Sequence, residues 1–295
     1  MSRTVKKTFT ALLACAMAPA AVQAQGAGPA PAASTGAANI NITPRRVIFD
    51  GNKRAEAVYV FNQGNAAVTV DVALVDKVML ESGEIVPLTR LADKGDAAQA
   101  AAAALKSAKP VLLAAPSRLT LPPGQGRTIR VRAGVADAAP GAEYRSHLTV
   151  TTVPPADTGL TAEQAAAADR GELVLRIQSI FGLSIPLIVR GPGASGQARF
   201  GPIRAGTDAG RPVLEVPVQR SGTGSVYGNI EARSGKSEIV GMVRGLAVYP
   251  EISERLAKVP LLRPLRKGET VTVTFQAEDA RPEGGALASG SFTAP

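Results

Sequence analysis

From Asn39 onward, apolar and polar residues alternate in short runs. Ile40 and Ile42 stand between polar neighbours, Pro44 interrupts, and Val47-Ile48-Phe49 resumes the pattern before a turn at Asp50-Gly51. Ala57–Phe61 and Val68–Val75 read as the next strands, with Asn62-Gln63-Gly64-Asn65 between them as a hairpin-type loop. The rhythm returns at Arg118–Leu121, turns at Pro122-Pro123-Gly124-Gln125, and runs through Arg127–Arg132 and Tyr144–Val150 to a stop at Pro154-Pro155. Two alanine-rich stretches, Asp96–Ala108 and Thr161–Arg170, read as short helices or loops inserted into it; Thr161 and Gln164 have capping-box spacing. Gly191–Gly196 reads as a hinge. Further strands follow at Val213–Val218, Ser225–Ala232, Met242–Tyr249, Thr270–Gln276 and Ser289–Thr293. Short β-branched runs between Gly, Pro and Asn turns predict an all-β fold of sandwiches. A boundary near 190–194 then gives one domain over 39–190 and a second over 191–295.

One run stands apart from this spacing. From Leu173 to Val189 the odd positions are Leu173, Leu175, Ile177, Ser179, Phe181, Leu183, Ile185, Leu187 and Val189. Period-two alternation sets them on one face of a strand about three times the usual length. Pro186 has no N–H for a ladder and confines that end to an edge or bulge. An apolar edge strand invites pairing with another chain. Burying three or four such side chains in a partner would gain roughly 5–10 kcal/mol gross. The same periodicity also fits a central strand whose odd face is simply core.

The first 24 residues change the picture of location. Arg3, Lys6 and Lys7 precede a mostly apolar stretch from Phe9 to Val22, and Val22-Gln23-Ala24 offers a small-residue cleavage site. This is the layout of a secretory signal peptide, and export to the periplasm is expected. Residues 25–38 are Ala, Gly and Pro without periodicity and read as a disordered leader. The single cysteine, Cys15, falls within the signal, so the exported fold has no disulfide to rely on. Without the three signal cations, 30 basic residues face 24 acidic ones. That excess is spread along the chain and aromatics are few, which argues against nucleic-acid binding. No later apolar run is long enough to span a bilayer.

Four segments of the first domain, in order and at matching spacing, resemble the periplasmic pilus-assembly chaperones of the chaperone–usher pathway. They are Ile42-Thr43-Pro44-Arg45-Arg46-Val47-Ile48-Phe49-Asp50-Gly51, Pro116–Gln125 with Arg127–Arg130, Tyr144–Pro155, and Leu173–Arg190. In the second domain the best segment is Gly245–Pro250. The resemblance implies two immunoglobulin-like β-sandwich domains at an angle, with a cleft between them. It implies a chaperone that lends a strand to an incomplete pilin-like subunit, a mode known as β-strand addition, and passes the subunit to an outer-membrane usher. The donor strand would present Leu173, Leu175, Ile177, Ser179 and Phe181. A cleft arginine would anchor the subunit's terminal carboxylate, and this maps onto Arg46, since guanidinium holds carboxylate through paired hydrogen bonds. The family's companion lysine has no counterpart: its position falls at Pro186, leaving Arg190, Arg45 or Arg130 as substitutes. The long Ala156–Glu172 loop resembles the long-loop or archaic branches, and the lack of a disulfide in it favours the archaic-like one. Whether the free chain caps its edge by dimerising is left open.

Other chemistry is short of parts. His147 is the sole histidine, and there is no cysteine after the signal, so zinc sets and a Ser-His-Asp triad are not expected. Ser221-Gly222-Thr223-Gly224-Ser225 lacks the closing Lys-Ser/Thr of a phosphate cradle and reads as a hairpin loop. No catalytic residue, cofactor or metal is expected, nor any nucleic-acid partner. The competing reading from another class is a structural immunoglobulin-like module of a surface fibre.

Overall fold

The structure is a computed structural model that describes residues 39–154, 166, 169–171, 179–235, 238–278 and 286–295. Residues 1–38, expected as signal and leader, and Leu173, Leu175 and Ile177 lie outside the described residues. Strands β1 (Ile40–Thr43) and β2 (Val47–Phe49) are followed by β3 (Ala55–Asn62), β4 (Val68–Val75), and a small hairpin of β5 (Lys77–Met79) and β6 (Ile85–Pro87). Helix α1 (Gly95–Ala104) leads to β7 (Leu112–Ala115), β8 (Arg118–Leu121), β9 (Gly126–Ala133), β10 (Glu143–Val153) and β11 (Gly182–Arg190). One sheet has the order β1-β3-β9-β7 and the facing sheet the order β2-β11-β10-β4-β8. Lettered along the chain, these are the A-B-E-D and G-F-C orders of an immunoglobulin sandwich. The first strand is split: β1 pairs with β3 in one sheet, and β2 pairs in parallel with β11 in the other. Pro44 marks the switch, where the chain has no N–H to continue a ladder.

The core follows from period-two alternation. Ile129 and Val131 on β9, Leu148 and Val150 on β10, and Ile185, Leu187 and Val189 on β11 are buried against Phe49, Val58 and Val60. At ~1.5–3 kcal/mol for each large side chain, this interior needs no disulfide.

The second sandwich joins β12 (Gly196–Phe200), β13 (Arg204–Asp208), β14 (Arg211–Gly222) and β17 (Glu254–Pro260) around β14. Facing it are β15 (Val226–Ser234), β16 (Glu238–Val248), β18 (Thr270–Ala277) and β19 (Ala288–Thr293), in the order β16-β15-β18-β19. Its apolar cluster includes Leu214, Val216, Ile230, Val273 and Phe275. That cluster also takes in Val78, Met79, Val86, Leu91, Ala98, Ala101 and Ile188, all supplied from before residue 191.

Three expectations from the sequence are corrected. Asn62–Asn65 is not a hairpin, because β3 and β4 lie in different sheets. The buried Asn62 amide donates to the carbonyls of Leu121 (3.0 Å) and Ala66 (2.8 Å), and its oxygen accepts from the Gly64 N–H (2.9 Å). The loop is thereby folded around one side chain and crosses the sandwich. Ser221–Ser225 likewise carries the chain from one sheet of the second sandwich to the other, with the N–H groups of Thr223 and Gly224 donating to Ser195 O. The long run is not one uninterrupted strand either. Among its described residues, Ser179–Phe181 lie outside a strand and regular pairing begins at Gly182; the Phe181 N–H donates to the Thr152 hydroxyl (2.9 Å) while Phe181 O accepts the Thr152 N–H (2.8 Å).

Candidate functional site

The site lies on the outer face of the β2-β11-β10-β4-β8 sheet. On β10 the residues that alternate with Leu148 and Val150 are Glu143, Arg145, His147 and Thr149. The first three are buried despite being polar, because the second sandwich and the β5–β6 hairpin cover them. Arg145 and Glu251 form a paired contact, with Nη2 to Oε1 at 2.5 Å and Nη1 to Oε2 at 3.3 Å. Their side chains are only 2% and 1% exposed. The Arg145 guanidinium stacks 3.7 Å from the Tyr249 ring centre and donates to Lys77 O (2.8 Å), and Glu251 also accepts the Met79 N–H (2.9 Å). This clamp joins three elements across the junction of the sandwiches. Sequence reasoning missed it. The polar alternation Glu143, Arg145, His147 within an otherwise apolar strand was the available signal on one side; Glu251 had no local signal.

Beside it, Arg190 Nε donates to Glu143 Oε2 (2.8 Å), which also accepts the Ser225 N–H (3.0 Å). Arg46, immediately before β2, shares the Ser225 hydroxyl with Arg190, each guanidinium at 3.2 Å. Arg46 also lies over the Tyr227 ring, 4.1 Å from its centre. Burial lowers the Arg46 pKa, and the neighbouring Arg190 cation lowers it further, while Tyr249, Glu143 and Tyr227 pull the other way. Its Nε is buried without a partner among the described residues. Partial burial, and then the hydrogen-bonded Glu278 carboxylate, push the Tyr227 phenol up to about 12, so it stays protonated. A cleft of about 410 Å³ opens here, lined by Arg45, Arg46, Lys53, Ile48, Tyr227 and Glu278 among others. Lys53 is paired with Glu56, which leaves Arg45 and Arg46 against Glu278, a basic balance that suits the cleft to an anionic group.

The remaining expected site residues are distributed as follows. Ser179 and Phe181 are exposed, and Ile180 between them is 62% exposed. Of the substitutes for the companion lysine, Arg190 is committed to Glu143, Arg45 lines the cleft, and Arg130 is exposed on β9 in the other sheet. Val47 faces Leu187, so continuing the β2–β11 register by one residue sets Pro186 beside Arg46. β11 pairs with β10 along its whole length, but β2 covers it only at Leu187–Val189. Among the described residues, no strand is paired to the other side of Gly182–Pro186.

His147 is buried opposite Pro186, with Nδ1 unpartnered among the described residues. Burial first, and then the cations Arg145 and Lys77, hold its pKa well below the ordinary 6.5. The unfolded chain therefore binds a proton that the folded one refuses. Stability is full above about pH 6.5 and is lost as the pH falls toward the folded pKa. Since His147 is the only histidine, urea midpoints should fall between about pH 7 and 5.5 in the wild type and stay flatter in His147→Gln. Equal slopes for the two proteins would remove His147 as the cause.

The fold and site define an all-β protein of two sandwiches with a basic cleft and a partly uncovered edge strand. No helix among the described residues is long and apolar enough to cross a membrane, and none of their His, Cys, Asp and Glu side chains cluster as a metal site. No protein-family model and no curated protein matches the chain. Solved structures similar to it include the complex of the chaperone CsuC with the tip subunit CsuE from archaic chaperone-usher Csu pili of Acinetobacter baumannii. That match is 13% identical, covers 87% of this chain and 98% of that one, and has a TM-score of 0.44. The E. coli chaperone DraB is 18% identical over 88% of this chain and 96% of that one, at a TM-score of 0.43. The Salmonella enterica SafA pilin in complex with the SafB chaperone is matched at 15% identity over 87% and 96%, at 0.41. Likenesses at this level leave the function to the chain's own residues and geometry.

Proposed function

We propose that this chain is a periplasmic pilus-assembly chaperone of the chaperone–usher type, and that it is not an enzyme. It holds an incomplete immunoglobulin-like subunit by strand addition and hands it to an outer-membrane usher. The observation that carries this reading is the uncovered edge of β11 at Gly182–Pro186, beside a basic cleft at Arg46. Backbone groups left without a strand partner on that edge offer a ladder to an added strand. Leu173, Leu175, Ile177, Ser179 and Phe181 are the donor residues, and Arg46 holds the subunit's terminal carboxylate. The four sequence segments that resemble the family support the same reading.

Co-expression with pilin-like subunits, followed by affinity capture from periplasmic extracts, tests it. Leu175→Glu and Ile177→Glu should abolish capture while circular dichroism and melting stay unchanged. Retained capture would refute the donor strand. Unfolding of both variants would instead identify these residues as core. Arg46→Met should weaken capture by about tenfold to a hundredfold, the loss of a charge-assisted bidentate contact at ~1.5–3 kcal/mol.

A further inference from the structure

We propose that Pro186 sets the register of the added strand. Lacking an N–H, it breaks the open ladder of β11 before β2 closes it, so that Ser184 is the last residue able both to donate to the arriving strand and to accept from it. The inference rests on the strand-addition reading above and concerns which residues of the partner are paired.

The direction of the backbone groups along β11 follows from its two ends. The Thr152 N–H donates to Phe181 O (2.8 Å), and the Gly191 N–H donates to Ala142 O (2.8 Å). Each bond lies one step past an end of the β10–β11 register. In an antiparallel pair, residues that exchange hydrogen bonds alternate with residues that do not. The odd positions from Phe181 to Gly191 therefore turn their N–H and C=O toward β10. Gly182, Ser184, Pro186 and Ile188 turn theirs to the other side. There Ile188 meets Ile48, at the centre of the pairing with β2. Gly182, Ser184 and Pro186 have no strand partner on that side among the described residues.

Gly182 and Ser184 each offer an N–H and a C=O to an added strand. Pro186 offers a C=O alone, with a ring carbon where the N–H would stand. A strand that reaches this far has one carbonyl without a donor, and leaving such a bond unmade costs more than a made one gains.

That gap separates registers which side chains alone leave equivalent. A slip by one residue exchanges the two faces of a strand and is rejected by packing, but a slip by two keeps every face. On a partner with alternate apolar residues, each two-residue step therefore looks the same to the pockets it fills. A step toward β2 sets a partner carbonyl against the Pro186 ring, and a step away leaves Ser184 without its pair. Further on, Val47 already occupies the edge at Leu187.

The test uses a ten-residue peptide, acetylated and amidated, with valine at alternate positions and one cysteine moved through the positions between. Each version is equilibrated in glutathione buffer with the full mature chain carrying Ser184→Cys, and the mixed disulfides are read by mass spectrometry. The single cysteine of the sequence, Cys15, lies in the expected signal, so the introduced thiol has no competitor. With Pro186 in place, one peptide position should form the disulfide about threefold to tenfold more than the position two residues along, as for one net hydrogen bond. Adding Pro186→Ala restores the N–H, and the preference should fall below about twofold. Pro186→Val also restores it and suits a strand, and it serves if the alanine variant melts lower. An undiminished preference in these variants overturns the proposal. So does their self-association at an unchanged register, which would make Pro186 a guard of the edge. If every position reacts equally with and without Pro186, strand addition stands and the register role falls. If no position reacts in either protein, strand addition itself fails.

Discussion

Replacing Glu251 with glutamine is expected to lower unfolding stability by about 3–5 kcal/mol, the usual cost of breaking a buried ion pair from one side. Arg145 would remain at 2% side-chain exposure, stacked on Tyr249, with its charge uncompensated. Urea unfolding followed by tryptophan-free probes such as far-UV circular dichroism measures it. The paired change Arg145→Met with Glu251→Leu should recover most of the loss, because two apolar groups of similar volume need no partner. Met79 N–H would then lack its acceptor, so recovery stops short of complete. A cost below about 1 kcal/mol for Glu251→Gln would mean that the pair behaves like one on the surface. Asp71–Arg118 serves as that comparison, being an exposed pair on β4 and β8.

Phe49→Ala should cost about 3–5 kcal/mol, as large-to-small changes at fully buried aromatic positions do. Phe49 is completely buried and pairs with Val189 at the last register position of a three-residue strand. Such a short strand is held by its side chains more than by its ladder. Losing the ring should therefore release β2 and speed amide exchange at Ile188 and Val189 beyond the global change. If exchange there rises only in step with global unfolding, β2 is held by its hydrogen bonds.

Much of the first sandwich was legible because its strands obey a clean period of two. Ile129, Val131, Leu148 and Val150 announce their faces in the sequence, and all are buried. The sheet partners were not legible. A loop such as Asn62–Asn65 reads the same whether it closes a hairpin or crosses a sandwich, and the difference rests on a buried amide that bonds residues distant in sequence. The β5–β6 hairpin was missed since Lys77–Met79 and Ile85–Pro87 are too short to show a period. At the site, Arg46 could be singled out by its motif and lies in the cleft. Its environment could not, because Ser225 and Tyr227 come from 179 and 181 positions further along.

The apolar cluster of the second sandwich has a consequence for how the chain is made. Val78, Met79, Val86, Leu91, Ala98, Ala101 and Ile188 belong to it, yet all lie ahead of its members from the second sandwich, which begin at Leu214. A chain emerging from its amino terminus completes the first sandwich before the second-sandwich members of this cluster, from Leu214 to Ala288, have been made. Folding of the two halves is thus ordered in time but not separable. A fragment ending at residue 190 would keep its own core and still be sticky, while one beginning at 191 would be hollow on one side.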